Sequence, residues 1–287
     1  MTTMDQTSTD PAELDEEARP TAEPGRFGGR MLRAVVPAIM LLLLVLAWAW
    51  YVTAYDVPHY ILPSPLRVAE AMVEDWGILF PALLVTLEIT FKALGLALVG
   101  GVLLAILFTQ SKWIELAFYP YAVIMQVTPI VAIAPLILIY TDTTQQALLI
   151  CAWIVAFFPI LSNTAQGLKS VDHNLINLFE LYGANRWQSL ILLRLPASLP
   201  YLLAGLRIGG GLALIAAVVA EFAAGSAGAG SGLAFRLLES QFRLNIPRLF
   251  AALILLSVTG ILIFFATSYL SHLLLHKWHE SALKREN

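Results

Sequence analysis

The side chains best able to do chemistry in this sequence are few, and apolar segments carry most of them. His272, His276 and His279 recur at i, i+4 and i+7, which sets three imidazoles on one helical face, a geometry that can hold zinc. No carboxylate or cysteine accompanies them there, and cationic side chains near a helix C-terminus complement its dipole. That is the simpler account. Glu88 and Lys92 stand at i, i+4 with the acid first, the favourable order for an ion pair. An unpaired charge at membrane depth is costly, so mutual pairing or an interfacial position is expected, and a transport role is the alternative. Glu221 closes a long apolar run, either as an interfacial carboxylate or as a gate or docking residue. The run GSAGAGSG (225–232) lacks the Gly-Lys-Ser/Thr of a phosphate loop. There is no His-Glu-x-x-His, no Gly-x-Ser-x-Gly and no Asp/His cluster of the kind used in proton-driven transport. A chain without a nucleotide motif or a reactive constellation must take its energy from another polypeptide.

The elements carrying these residues are membrane spans. Of 287 residues, 59% are hydrophobic and only 13% charged, and mean hydropathy is +0.76. A soluble domain carries roughly a quarter charged residues. Six spans are expected: Met31–Val52, one within Leu79–Thr109, Trp113–Tyr140 interrupted by Pro120, Pro129 and Pro135, Gln146 to about Asn163, Leu199–Ala224, and Leu249 to about Leu275. The first is 22 residues, or roughly 33 Å of helix, enough for a hydrocarbon core of ~30 Å. No cleavable signal is expected, because this stretch exceeds a signal's apolar region and follows an acidic leader. No internal repeat stands out. The one cysteine, Cys151, excludes an intrachain disulfide.

Residues 1–30 hold seven acidic side chains and three arginines, a net of −4 that leaves +1 on the remainder. This stretch has almost no apolar periodicity and reads as a disordered, dispensable tail. Residues 31–287 then form the transmembrane domain. With the N-terminus inside, eleven Lys and Arg fall in cytoplasmic segments and four in external ones. The imbalance favours both termini inside.

Between the fourth and fifth spans, Leu175, Leu178, Phe179 and Tyr182 fall at i, i+3, i+4 and i+7, an apolar stripe on a short helix. Asp172 is a candidate N-cap and Gly183 a candidate left-handed C-cap. Asn185 can cap a second helix running toward Leu195 and stopped by Pro196. A helix of about a dozen residues is marginal alone in water, so the stripe needs lipid or a cytoplasmic protein.

Gly183, nine residues, then Leu193-Arg194-Leu195-Pro196 resembles the EAA loop of permease subunits of ATP-binding-cassette (ABC) importers. The Glu-Ala-Ala positions are taken by Asn177, Leu178 and Phe179, with Glu180 one residue late. LPSPLRV (62–68), QVTPIVAIAPLILI (126–139), FFPILSNTAQGL (157–168), GANRWQSLILLRLPASLPYLLAGLRI (183–208) and AAVVAE (216–221) are similar to the nitrate/sulfonate/taurine-type branch. The likeness covers about residues 60–275, and IYTDTTQQA (139–147) departs from it.

The resemblance implies an all-α membrane protein of about six transmembrane helices with the MetI-like permease fold, in the cell (inner) membrane. It implies cytoplasmic ABC ATPase subunits, an extracytoplasmic substrate-binding protein, a second permease copy and the lipid membrane as partners, with no nucleic acid and no cofactor. Coupling to the ATPase falls within 172–195, on Asn177, Leu178, Phe179, Glu180, Tyr182, Gly183, Leu195 and Pro196. Gln126, Thr128 and Glu221 are candidates for the translocation path. TPIVAIAPL and PASLPYLLAGLRI resemble permeases for thiamine-precursor pyrimidines or related heterocycles, with sulfonate, taurine or nitrate import as the alternative. A channel or ion-coupled carrier without an ATPase is the rival of another class.

Overall fold

A computed structural model describes residues 26–225 and 230–276 of the chain, and all regular structure among them is helical. The chain divides into two compact units, residues 1–57 and 58–287. The first contains α1, Arg26–Ala54, whose segment Val35–Ala54 is apolar and long enough to cross a membrane.

The second unit contains the other helices. α2 (Pro65–Glu74) is capped by Ser64, with Pro65 at its first position, where a missing N–H costs nothing. α3 (Trp76–Gln110) follows after the single residue Asp75. α4 (Lys112–Val127) starts at the cap Ser111, and α5 is Ile130–Tyr140. α6 (Thr144–Lys169) is capped by Thr143. After the 172–195 region come α9 (Leu195–Ala224), α10 (Leu233–Phe242) and α11 (Ile246–Leu275); α7 (His173–Leu181) and α8 (Arg186–Ser189) lie before α9.

Five helical stretches among the described residues can span a membrane, or six if α4 and α5 count as one broken span. The pair bends by 103°. Pro129, which offers no N–H, forms the break, and Thr128 Oγ1 turns back to donate to the Ile124 carbonyl at 2.6 Å. The expectation that Pro120 and Pro135 also interrupt this segment is not met, since both lie inside helices. Membrane helices tolerate such prolines because neighbours and local adjustments satisfy the freed carbonyls.

The core is built where α6 packs between α3 and α9. Small residues allow it. A Cβ on Gly101 would come within 3.0 Å of Ile160 Cγ2, and one on Gly205 within 2.9 Å of the Pro159 carbonyl oxygen. Gly209 is equally close-packed on α6, whereas Gly210 faces Ile263 of α11. Gly205, Gly209 and Gly210 therefore let helices approach closely, while Gly211 faces open space. Buried Thr90, Thr164, Thr259 and Thr267 each donate to the carbonyl four residues back. A polar side chain can enter this core because its own helix satisfies it.

Candidate functional site

The 172–195 region builds itself from local rules. Asp172 Oδ1 accepts from the Asn174 N–H at 2.8 Å and opens α7. At the other end, Gly183 lies at φ +71°. Its N–H donates to the Glu180 carbonyl at 2.9 Å, and the Ala184 N–H donates to the Phe179 carbonyl at 2.9 Å. These are the two bonds of a Schellman cap. Asn185 then opens α8 with a full capping box: its side chain accepts from the Gln188 N–H while Gln188 accepts from the Asn185 N–H, both at 2.8 Å. All three capping residues expected from sequence hold their places.

The second helix is not stopped by Leu195-Pro196, as the sequence suggested. α8 passes through a π-helical turn, Leu190–Arg194, straight into α9. The Leu195 N–H reaches the Leu190 carbonyl, five residues back. A proline collides with the carbonyl four residues before it, and the wider turn accommodates the ring without ending the helix. Leu195 and Pro196 thus begin α9, and a displacement of α8 has a continuous helical path into the membrane.

The expected stripe divides in two. Leu175 and Leu178 are each 45% exposed, and Tyr182 is 85% exposed. Phe179 is only half-exposed and turns toward its own chain. With Ile176 and Glu180 it lines a cavity of about 340 Å³ against Thr109 and Gln110 of α3. Leu181, outside the expected set, joins the exposed face at 84%. Asn177 and Glu180 are both exposed. Beside this region, Lys169 of α6 pairs with Glu115 of α4.

At the other end of α9 a second cluster is fully enclosed. Glu221 is 2% exposed and Thr86 is 0% exposed, so the interfacial carboxylate expected at 221 is instead a core group. Thr86 Oγ1 donates to Glu221 Oε1 at 2.8 Å and accepts from the Leu233 N–H at 2.9 Å. Glu221 Oε2 accepts from the Ala234 N–H at 2.9 Å. Leu233–Phe235 is the first turn of α10, whose free N–H groups and dipole favour a carboxylate. Gly232 leaves the space: a Cβ there would sit 2.0 Å from Glu221 Oε1. Thr86 and Gly232 escaped sequence reasoning, because the three residues meet only through long-range packing.

The remaining candidates are dispersed. Gln126 is exposed and Thr128 half-buried at the α4–α5 bend. Glu88 pairs with Lys92 at 2.5 Å, as expected. Arg207, deep in α9, holds its guanidinium 5.7 Å from the centre of the Phe264 ring, and its buried Nε finds no partner among the described residues. The His272 and His276 rings are 6.2 Å apart, while His279 lies outside the described residues. Among the described residues, no group of three or more His, Cys, Asp or Glu is arranged to hold a metal ion. Residues 226–229 of the glycine-rich run also lie outside them.

Residues 97–276 match the family described as binding-protein-dependent transport system inner membrane component. The chain is 33% identical over 247 residues to a formylaminopyrimidine transport permease protein of Halalkalibacterium halodurans, covering 86% of this chain and 97% of that one. It is 33% identical over 245 residues to a riboflavin transport system permease protein of Chloroflexus aurantiacus, covering 85% and 90%. A nitrate import permease protein of Synechocystis sp. is 26% identical over 245 residues, covering 80% and 86%. With its helical spans, this chain belongs to the family of inner-membrane permease components of binding-protein-dependent ABC importers.

Proposed function

We propose that this permease subunit passes a small nitrogen-containing heteroaromatic solute, a pyrimidine first of all, received from an external binding protein. We further propose that a cytoplasmic ATPase docks on residues 172–195, on a surface comprising Asn177, Leu178, Phe179, Glu180, Tyr182 and Gly183, and that Leu195 and Pro196 lead its motion into α9. Two copies of the chain enclose the path, with both termini in the cytoplasm. Gln126 and Thr128 face this path at the α4–α5 bend, and Glu221 contributes to it through the helix it holds.

One observation carries the docking role. α7 is nine residues long and capped at both ends, yet it presents Leu178, Leu181 and Tyr182 outward. Fully burying one such large side chain contributes roughly 1.5–3 kcal/mol. That is the reward a partner groove would collect. Gly183 supports the reading, since its left-handed turn aims α8 away from α7 without a steric penalty. For the solute, support comes from the two relatives at 33% identity, whose names specify a pyrimidine and a flavin, both nitrogen heterocycles, against 26% for the nitrate permease.

The test pairs Leu178→Ala with Tyr182→Ala in the complete transporter. Losing two buried groups weakens docking by a few kcal/mol, about tenfold per 1.4 kcal/mol. The double variant is expected to insert normally and to lose both ATPase co-purification and uptake. Retention of the ATPase with uptake intact overturns the docking role. A thermal-shift screen of the partner binding protein against pyrimidines, flavins, nitrate and sulfonates decides the solute class. Stabilisation by nitrate or sulfonate alone overturns the heterocycle.

A further inference from the structure

The Glu221 cluster joins three elements that are distant in sequence. Thr86 belongs to α3, Glu221 to the last turn of α9, and Leu233–Phe235 to the first turn of α10. The carboxylate and the hydroxyl are both enclosed, and besides a longer contact of the hydroxyl with its own helix's Ala82 carbonyl at 3.3 Å, their bonds run to neighbouring helices rather than to an opening. A buried carboxylate that meets the N–H groups of another helix's first turn behaves as that helix's missing cap. α10 needs one. Its own N-cap residue is Gly232, which has no side chain to supply the acceptor.

The same α9 connects the 172–195 region to this cluster. It grows out of the π-helical turn after α8 and ends at Ala224. Glu221 lies 26 residues beyond Leu195, or about 39 Å along the helix. The tie between α9 and α10 is direct: Glu221 bonds to the Ala234 N–H and, through Thr86, to the Leu233 N–H, with both side chains buried.

We propose that Glu221, with Thr86 and Gly232, is a positioning constellation of the transport cycle: it fastens α10 to the far ends of α3 and α9, so that movement begun at residues 172–195 is delivered to α10. This rests on the docking role proposed above. Glu221 does not touch the solute. It sets the place of α10, and α10 packs on α11, the last span.

The experiment uses the complete transporter in lipid vesicles, with ATP hydrolysis measured with and without the binding protein. Glu221→Ala and Thr86→Val are expected to assemble with the ATPase at wild-type levels but to lose the stimulation that the binding protein gives. Thr86→Ser keeps both hydrogen bonds and is expected to restore it. Gly232→Ala drives a Cβ into the carboxylate and is expected to lose stimulation in the wild-type background, while adding no further loss to Glu221→Ala, the non-additivity of groups in one contact. Full stimulation in Glu221→Ala overturns the proposal. So does loss of the assembled complex in Glu221→Ala and Thr86→Val with no recovery in Thr86→Ser, which would leave a purely structural role. The two proposals fail separately. An ATPase retained by the Leu178→Ala/Tyr182→Ala variant defeats the docking role, whereas stimulation retained by Glu221→Ala with the ATPase bound defeats this one.

Discussion

Arg248 grips Asp75 with both arms of its guanidinium, Nε to Oδ2 at 2.6 Å and Nη2 to Oδ1 at 2.5 Å. Asp75 is the lone residue between α2 and α3, and Arg248 lies in the first turn of α11. The fork therefore pins the α2–α3 corner to the start of the last span. With side chains only 15% and 16% exposed, little water competes for it.

Arg248→Lys keeps the charge and loses the planar fork. Both Arg248→Lys and Asp75→Asn are expected to lower stability by about 1.5–3 kcal/mol, the worth of hydrogen bonds to a charged group. Thermal unfolding in detergent reads this, and an unchanged midpoint in Asp75→Asn would remove the fork from the account.

Glycines at the α6–α9 contact should separate from those facing open space. A Cβ on Gly167 would lie 2.7 Å from Tyr201 Cβ and 3.0 Å from the Ser198 backbone, whereas one on Gly95 meets nothing within 4 Å. Gly167→Ala is expected to cost about 1–3 kcal/mol from overpacking. Gly95→Ala should be neutral or slightly stabilising, since alanine is the better helix former. Equal melting temperatures for the two variants would refute the close approach.

Acid should loosen α10 through Glu239. Its carboxylate accepts from Arg236 Nη1 at 2.8 Å and pairs with Arg243 Nη2 at 2.9 Å. The hydrogen bond from Arg236, with the charges of Arg236, Arg243 and Arg248, holds its pKa below the usual 4.5. A carboxylate with a lowered folded pKa contributes fully above its unfolded value and loses that contribution as pH falls through the folded one. Glu239→Gln should therefore cost stability at pH 7 and progressively less as pH falls below 4.5. A destabilisation independent of pH would contradict this.

Orientation can be read with fused reporters. The excess of Lys and Arg in alternate loops predicts that residue 190 and both termini are cytoplasmic and that residue 243 is external. A reporter at residue 190 active only on the outside would reverse the topology and remove the docking surface with it.

The local parts of this protein were legible one residue at a time. Asp172, Gly183 and Asn185 do what their side chains, or lack of one, dictate within four residues of chain. Glu88 and Lys92 meet because they share a helix face. Pro196 departs from its local rule: a proline usually ends a helix, and only the surrounding continuity of α8 and α9 makes a π-helical turn the better solution.

Sequence alone determined the class of molecule, since apolar runs of span length have few places to go but lipid, and backbone groups in lipid must be paired within helices. It also determined the capped double helix and its glycine turn, because capping bonds reach only a few residues. Tertiary structure decided which way Phe179 turns, which glycines carry close contacts, and which partners Glu221 meets. Phe179 and Leu181 differ in exposure because α3 lies on one side of α7 and not the other. Glu221 meets Thr86 across 135 residues and Ala234 across thirteen. No periodicity or motif encodes such a meeting; it exists only once three helices have packed and one glycine has left room for a carboxylate.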